Sequence, residues 1–168
     1  MRRKLLFISF IAVLCFGLTA CGSSDSDAET EKKVDTTEKK EKKPASKISV
    51  DNDRFSVKYL KTEVVKDGDG KPAALVYFKY KNKTSNEQTI DEVLQFNYYQ
   101  DGVECERYAM VQTNKYLENA DKKIKDGAEL KVCLTVSLQN GKSDLEIKAM
   151  DLEKDIKNPV AVQTIKLK

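Results

Sequence analysis

The sequence predicts an all-β fold, an immunoglobulin-like antiparallel β-sandwich of about seven strands, over residues 48–168. Three observations support this prediction. Apolar and polar residues alternate with a period of two in several short stretches, which places alternate side chains on a core face and a solvent face. Turn dipeptides separate these stretches at short intervals, and helical periodicity is almost absent. The 121 residues of this region suffice to bury one hydrophobic core.

The first half of the domain predicts four strands. In the first strand one face is apolar: Phe55, Val57 and Tyr59. After a turn at residues 67–72, a second strand has a core face of Ala74, Val76, Phe78 and Tyr80. Its other face is expected to be mostly exposed to water. A third strand contains Phe96 and Tyr98 and ends at Asp101-Gly102, a dipeptide that accepts the positive φ of a tight hairpin. Residues 103–108 are expected to return beside it.

The second half predicts three more strands. Residues 110–125 allow either a short helical turn capped by Asn114 or a loop that crosses between sheets. The next strand has the clearest alternation, with inward Leu130, Val132, Leu134, Val136 and Leu138. Asn140-Gly141 predicts a hairpin to a strand with inward Leu145, Ile147 and Ala149. A last strand, residues 160–167, follows Asn158-Pro159.

The N-terminus has the layout of a secretory signal. Three basic residues precede an apolar run at residues 5–18, and these 14 residues are too few to span a membrane. The run ends in Leu18-Thr19-Ala20-Cys21, which resembles the lipobox of bacterial lipoproteins. The resemblance implies cleavage before Cys21 and a diacylglyceryl group on its sulfur, which would anchor the chain at the extracytoplasmic face of the cell membrane. The alternative is an ordinary signal peptide with a chance cysteine.

Residues 22–47 are predicted to be a disordered, charged linker between the anchor and the domain. Val34 is the one large apolar residue in this stretch, so it cannot bury enough surface to offset the entropy of ordering. Fully extended, the linker would reach roughly 90 Å. A transient helix formed by the repeated Thr-Glu-Lys-Lys unit is the alternative, but it would have no apolar face to dock.

Composition excludes several classes of function. Of 30 Lys and Arg residues, three leave with the signal sequence, so 27 bases balance 27 acids in the processed chain. This balance argues against nucleic acid as a partner. The sequence contains no histidine, which removes Ser-His-Asp and Cys-His catalysis and all imidazole metal sites. We therefore expect no catalytic residue, no cofactor and no metal. We also expect a monomer.

Two cysteines remain in the domain, Cys105 and Cys133. An oxidising compartment permits a disulfide between them, and closing a loop of about 28 residues would stabilise the fold by about 3 to 4 kcal/mol. The strand pattern places Cys133 on the outer face of its strand and Cys105 toward the core. Residues on opposite faces of one sheet cannot form a disulfide, so the pattern favours two free thiols.

Other side chains suggest an interaction surface or, less readily, catalysis. Four tyrosines are predicted to be partly exposed: Tyr77, Tyr99, Tyr108 and Tyr116. Exposed tyrosines are common at interfaces, although they also stiffen sheets as cross-strand pairs. Glu104 and Glu106 share one face of a strand, the spacing of a carboxylate pair in a hydrolase acting on wall glycan. Exposed glutamates on an edge strand explain the same pattern without catalysis.

The chain resembles an uncharacterised domain family in the order of its motifs. The lipobox and the charged linker come first, and residues 70–84, 96–103 and 124–127 follow. That family occurs in lipoproteins of Gram-positive bacteria, and its relatives are immunoglobulin-like, telokin-like sandwiches. The resemblance implies fold and location and transfers no catalytic residue. Asp126 stands where members often have proline, which alters a turn.

Three functions remain open from the sequence. The first is a binding module that captures a protein or an envelope ligand through a strand edge or end loops. The second is a structural spacer or envelope-integrity lipoprotein, and the third is the carboxylate-based wall hydrolase.

Overall fold

The computed structural model describes residues 46–154 and 156–167, so the predicted signal sequence, Cys21 and residues 22–45 of the predicted linker lie outside the described part. Within it the chain forms eight strands and one helical turn. In chain order these are β1 (Ser49–Asp51), β2 (Phe55–Lys66), β3 (Pro72–Asn82), β4 (Leu94–Gln100), β5 (Val103–Cys105), α1 (Lys115–Glu118), β6 (Glu129–Ser137), β7 (Leu145–Asp151) and β8 (Ala161–Ile165).

The strands form two four-stranded sheets, with the orders β1-β2-β3-β6 and β5-β4-β7-β8. All strand pairings between named strands are antiparallel. The chain changes sheet after β3, after β5 and after β6, so each sheet contains strands from both halves of the domain. This arrangement confirms the predicted immunoglobulin-like sandwich. The additional strand is β1, a three-residue edge strand too short to show an alternation of its own.

The core lies between the two sheets and consists of the inward residues that the alternation predicts. At its centre Phe78 of β3 stacks on Phe96 of β4, with ring centroids 4.4 Å apart. The other inward side chains of β3, β6 and β7 are also buried or packed against this cluster. Burial of a large apolar side chain contributes about 1.5 to 3 kcal/mol, so these contacts hold the sheets face to face.

An ion pair joins the two sheets at one end of the core. Asp151, at the end of β7, is 1% exposed, and both of its carboxylate oxygens accept from Arg54, at 2.5 and 2.6 Å. Arg54 lies between β1 and β2 and also contacts Glu153 at 2.8 Å. A buried carboxylate is costly unless it is paired. Arg54 therefore compensates Asp151 and ties the first sheet to the second.

One predicted hairpin is right and one is wrong. Asp101 and Gly102 have φ values of 51° and 80°, as a tight turn between β4 and β5 requires. Asn140-Gly141 does not form a hairpin, because β6 belongs to the first sheet and β7 to the second. Residues 138–144 instead cross between sheets. The buried side chain of Gln100 holds this crossing by accepting from the Gln139 amide and donating to the Ser143 carbonyl, each at 2.8 Å.

Residues 110–125 contain the helical turn that was one of the two predicted alternatives. The side chain of Asn114 caps α1 by accepting from the amides of Tyr116, at 2.9 Å, and Leu117, at 3.2 Å. The strand predicted at residues 103–108 ends earlier, at Cys105. The last strand, Ala161–Ile165, lies within the predicted range.

Candidate binding surfaces

The outer face of the first sheet is partly covered, which corrects the expectation that the outward side of β3 is mostly exposed. Leu75 and Tyr77 point outward from β3 and Cys133 points outward from β6, yet all three are buried. The side chains that pack against them are Val65, Val111, Tyr116 and Leu117. Alternation shows which side chains share a face. It does not show that another segment lies over that face.

Tyr77 is therefore not part of an exposed interaction surface, contrary to the prediction. It is 5% exposed and its hydroxyl donates to Glu63 at 2.9 Å. Tyr116 is half-buried and packs edge-to-face on Tyr77, with centroids 5.8 Å apart. Burial, together with the bond to Glu63, raises the pKa of Tyr77. These two tyrosines form the interior of the covered half of the sheet.

A cleft of about 400 Å³ opens beside the covered cluster, between the end of β2 and residues 111–114. Glu63 contributes its one carboxylate. Hydrogen bonds from Lys61 and then Tyr77 hold the pKa of Glu63 below its usual value of 4.5. Glu63 is therefore an ionised acceptor at neutral pH. A proton donor in catalysis would need a raised pKa, so the cleft lacks a general acid at this position.

The two cysteines lie in separate hydrophobic clusters. Cys105 faces the core between the sheets, whereas Cys133 lies under the segment that covers the first sheet. Both are free thiols, and the structure therefore contradicts the disulfide alternative. Burial raises the pKa of Cys133 to about 12 and also raises the pKa of Cys105. Neither thiol is activated, because the thiolate is the reactive form.

Tyr99 lies on the opposite side of the molecule, on the outer face of the second sheet. It is half-buried and aligned across the strand pair with Glu146, and the Lys148 ammonium is 4.5 Å from its ring centroid. These contacts match the alternative function considered for the tyrosines, the stiffening of a sheet by cross-strand pairs. Tyr99 does not share a surface with Tyr77 or Tyr116.

The fourth predicted tyrosine, Tyr108, belongs to a segment that we call the crossover segment, residues 103–110. It begins as β5 in the second sheet and then joins the edge of β6 in the first. The Ser137 amide donates to the Glu106 carbonyl at 2.8 Å, and the Tyr108 amide donates to the Thr135 carbonyl at 3.0 Å. The Gly68 amide donates to the Met110 carbonyl at 2.7 Å. The backbone of the segment is thus fixed to both sheets.

An arginine–carboxylate pair fixes the middle of the crossover segment. Arg107 donates to both carboxylate oxygens of Asp91, each at 3.0 Å, and its guanidinium lies 4.8 Å from the Tyr108 ring centroid. The Tyr108 hydroxyl is 3.4 Å from the same carboxylate. Burial raises the pKa of Asp91, and Arg107 opposes that shift. Contacts with Arg107 and Asp91 therefore fix the orientation of the Tyr108 ring.

Three large side chains of the crossover segment remain exposed on this fixed backbone: Val103 at 55%, Tyr108 at 68% and Met110 at 83%. Tyr108 also has a φ of 66°, a left-handed conformation that non-glycine residues rarely adopt. The sequence indicated Tyr108 but not Val103 or Met110. Val103 was expected within a returning strand, and Met110 begins the stretch for which two structures were possible.

Glu104 and Glu106, the proposed carboxylate pair, are both exposed and line a shallow depression with Cys105, Arg107 and Tyr108. Glu104 aligns with Tyr99 on the outer face of the second sheet, and Glu106 follows the end of β5. The catalytic hypothesis for these glutamates stays a prediction. Among the described residues, no helix has both the length and the apolar character needed to cross a membrane.

The described part is thus an immunoglobulin-like β-sandwich, and three of its seven exposed large hydrophobic side chains lie in the crossover segment. The chain belongs to the family described as "Domain of unknown function (DUF5067)", whose family model matches residues 27–151. This membership confirms the resemblance to an uncharacterised domain family. No curated protein is significantly similar to the chain.

The fold is similar to that of several solved bacterial structures, among them the following three. A "putative lipoprotein" from Staphylococcus aureus is 15% identical with a TM-score of 0.60, and the match covers 73% of this chain and 90% of that one. A protein from Enterococcus faecalis is 18% identical with a TM-score of 0.54, over 73% and 95% of the two chains. An "uncharacterized beta-sandwich protein" from Clostridium difficile is 13% identical with a TM-score of 0.52, over 77% and 99%. At such identities the likeness shows the fold alone.

Proposed function

We propose that the chain is a lipoprotein, anchored through a diacylglyceryl group on Cys21 at the extracytoplasmic face of a Gram-positive cell membrane, with a monomeric β-sandwich that acts as a non-catalytic binding module. The lipobox Leu18-Thr19-Ala20-Cys21 supports the anchor. A structure of similar fold is described as a "putative lipoprotein", which agrees with it. Two acyl chains on one residue give stable membrane attachment. The ligand class is a protein or another component of the cell envelope.

One observation supports the binding role above the others: the crossover segment exposes Val103, Tyr108 and Met110 on a backbone that is bonded to both sheets. Tyrosine and methionine are enriched at protein interfaces. A surface that is already rigid loses little conformational entropy on binding. The left-handed conformation of Tyr108 costs roughly 1 to 3 kcal/mol, and strain of this kind is concentrated at functional sites.

The non-catalytic part of the proposal is supported by the chemistry of the available groups. The sequence has no histidine, and the thiols of Cys105 and Cys133 are buried. The Asp91 carboxylate is engaged by Arg107. An activated nucleophile paired with a general base would be the minimum for acyl or glycosyl transfer, and these residues do not provide that pair.

The test uses the full chain with a C-terminal tag, expressed in a Gram-positive host and cross-linked in intact cells. We expect the wild-type chain to fractionate with the membrane and to form a discrete cross-linked product. Cys21→Ser should release the chain from the membrane fraction. A double variant, Tyr108→Ala with Met110→Ser, should stay in the membrane but lower the cross-linked yield about ten-fold or more, because truncated interface anchors each cost about 1 to 2 kcal/mol.

The matched control is Leu60→Ser, which removes an exposed aliphatic side chain at the bulge in β2 of the first sheet. It should leave the cross-linked yield unchanged. Equal yields from the double variant and the wild-type chain would remove the crossover segment as the binding surface. If the wild-type chain gives no saturable product at all, the structural spacer becomes the better explanation.

A further inference from the structure

The outer face of the first sheet has a charged half beside its covered half. Four lysines point outward there, and we call them the lysine face: Lys58, Lys79, Lys81 and Lys131. Three of them form a row across the sheet, since Lys58 of β2 is aligned with Lys79 of β3, and Lys79 is aligned with Lys131 of β6. Side chains directly opposite one another in antiparallel strands have Cβ atoms about 5 Å apart, and like charges at that distance repel.

Carboxylates on the same side of the sheet neutralise only part of this positive charge. Each outward carboxylate has its own lysine: Lys83 with Asp51, Lys61 with Glu63, and Lys79 with Glu129 at 2.9 Å. Lys58, Lys81 and Lys131 form no ion pair within 4.0 Å with any carboxylate of the described residues. Lys131 lies over the rings of Tyr77 and Tyr116, at 5.4 and 4.7 Å. Lys81 is aligned with Glu129, and the charge of Lys131 also acts on Glu63. With Lys61 and Lys83, six lysines lie on this side of the sheet beside three carboxylates, so the face has an excess of positive charge.

The outer face of the second sheet differs in sign. Its outward charged side chains in β5 and β7 are Glu104, Glu146 and Lys148, and Lys148 pairs with Glu146 at 3.2 Å. One face of the sandwich is thus positive and the other slightly negative. The processed chain as a whole has equal numbers of acids and bases. The outer faces of the two sheets therefore differ in charge, and such a difference favours one orientation near an anionic surface.

The position at which the polypeptide enters the domain indicates which anionic surface is available. The described part begins at Ser46, and Ser49 in β1 is aligned with Lys58. The segment leading to Cys21 thus joins the sheet at the edge of the lysine face. If Cys21 is anchored, the tether keeps the lysine face within the reach of the linker from the bilayer and raises the effective concentration of the face at that surface.

We propose that the lysine face docks reversibly on anionic phospholipid in the membrane that holds Cys21, with the second sheet turned away from the bilayer. This inference rests on the membrane location proposed above but not on the crossover segment. Each lysine near an anionic membrane surface strengthens partitioning about five-fold. Docking would hold the domain on the bilayer. At high ionic strength the domain would leave the bilayer and would be held near it by the linker alone.

The experiment uses the chain from residue 21 onward with Cys21→Ser, so that any membrane binding comes from the lysine face and not from the lipid anchor. Sedimentation with vesicles measures its partition coefficient on phosphatidylcholine alone and on phosphatidylcholine with about one third phosphatidylglycerol. We expect binding to the anionic vesicles in about 50 mM salt and its loss in about 500 mM salt. Lys58→Gln with Lys81→Gln should lower the partition coefficient about 25-fold, and Lys58→Arg with Lys81→Arg should retain binding.

The control removes the same charge from the other sheet and its connections, with Lys142→Gln and Lys166→Gln, and should leave binding unchanged. Circular dichroism checks that each variant is folded. Equal binding to neutral vesicles, equal losses from the two Gln pairs, or no binding to anionic vesicles in low salt would each overturn the proposal. Soluble polyphosphate provides a further arm. If it binds the wild-type chain and not the Lys58→Gln, Lys81→Gln variant while vesicles do not bind, the partner is a soluble polyanion instead of the bilayer.

Discussion

The two halves of the first sheet's outer face have the same backbone and opposite surroundings. On β3, Leu75 and Tyr77 lie under residues 111–117, and two to six positions further along Lys79 and Lys81 face solvent. The strand pattern is identical in both halves, since all four side chains point away from the core. The comparison shows that a covering segment converts one half into a second, small hydrophobic core. The other half remains a charged surface that is exposed to solvent.

The largest effect should come from removing a side chain in the covered half. We expect Leu75→Ala to lower the free energy of unfolding by about 2 to 4 kcal/mol, because it leaves a cavity beneath Val111 and Leu117. Lys79→Ala, on the same face and strand, should change it by about 0.5 kcal/mol or less. Urea denaturation measures both. A cost near zero for Leu75→Ala would show that residues 111–117 do not pack on the sheet in solution.

A smaller effect should come from Tyr77→Phe, which removes the hydroxyl that donates to Glu63 at 2.9 Å. We expect a cost of about 1 kcal/mol at neutral pH. The pKa of Glu63 in the folded chain lies below its usual value of 4.5, first through Lys61 and then through Tyr77. Stabilisation by a carboxylate of lowered pKa is complete above its unfolded pKa and is lost as pH falls through the folded pKa. The cost of Tyr77→Phe should therefore shrink below about pH 4.

Tyr80→Phe is the matched control, because the Tyr80 hydroxyl donates to a neutral acceptor, the Gln88 carbonyl, at 3.3 Å. Its cost should stay constant over the same pH range. Denaturation curves at several pH values measure both variants. If the cost of Tyr77→Phe does not depend on pH, its hydroxyl does not support the Glu63 carboxylate.

The core and the turn at Asp101-Gly102 could be predicted from the sequence because they depend on local rules. The inward positions of β6, from Leu130 to Val136, follow from the pleat of a single strand. The turn at Asp101-Gly102 follows from the tolerance of that dipeptide for positive φ. Neither inference requires knowledge of which strands are neighbours. These features accordingly agree with the structure.

The features that could not be predicted depend on strand partners. Asn140-Gly141 has the residues of a hairpin, but β6 pairs with β3 and β7 with β4, so the dipeptide lies in a crossing between sheets. The burial of Tyr77 depends on where residues 111–117 lie, and no alternation describes that segment. The alignment of Lys58 with Lys79 and Lys131 depends on the register of β2 on β3 and on the pairing of β3 with β6, which is distant in sequence. The exposed crossover segment is another consequence of sheet order.

The smallest effect concerns the lysine face, and its sign is the informative part. Lys58→Gln should raise the free energy of unfolding by a few tenths of a kcal/mol, because it relieves repulsion with Lys79. The gain should vanish in about 1 M salt, where the Debye length is about 3 Å. Lys142→Gln, in the crossing after β6, should give no gain at either salt concentration. Thermal denaturation in low and high salt measures both variants.

A loss of stability from Lys58→Gln would mean that Lys58 supports the fold, and the lysine row would then need no partner to explain it. A gain means that the row opposes folding. In that case the same substitution should improve stability while it weakens vesicle binding, and opposite signs of this kind are expected for residues that serve binding at a cost to the fold. The covered half makes the contrast clear, because there every substitution that disturbs packing should lower stability.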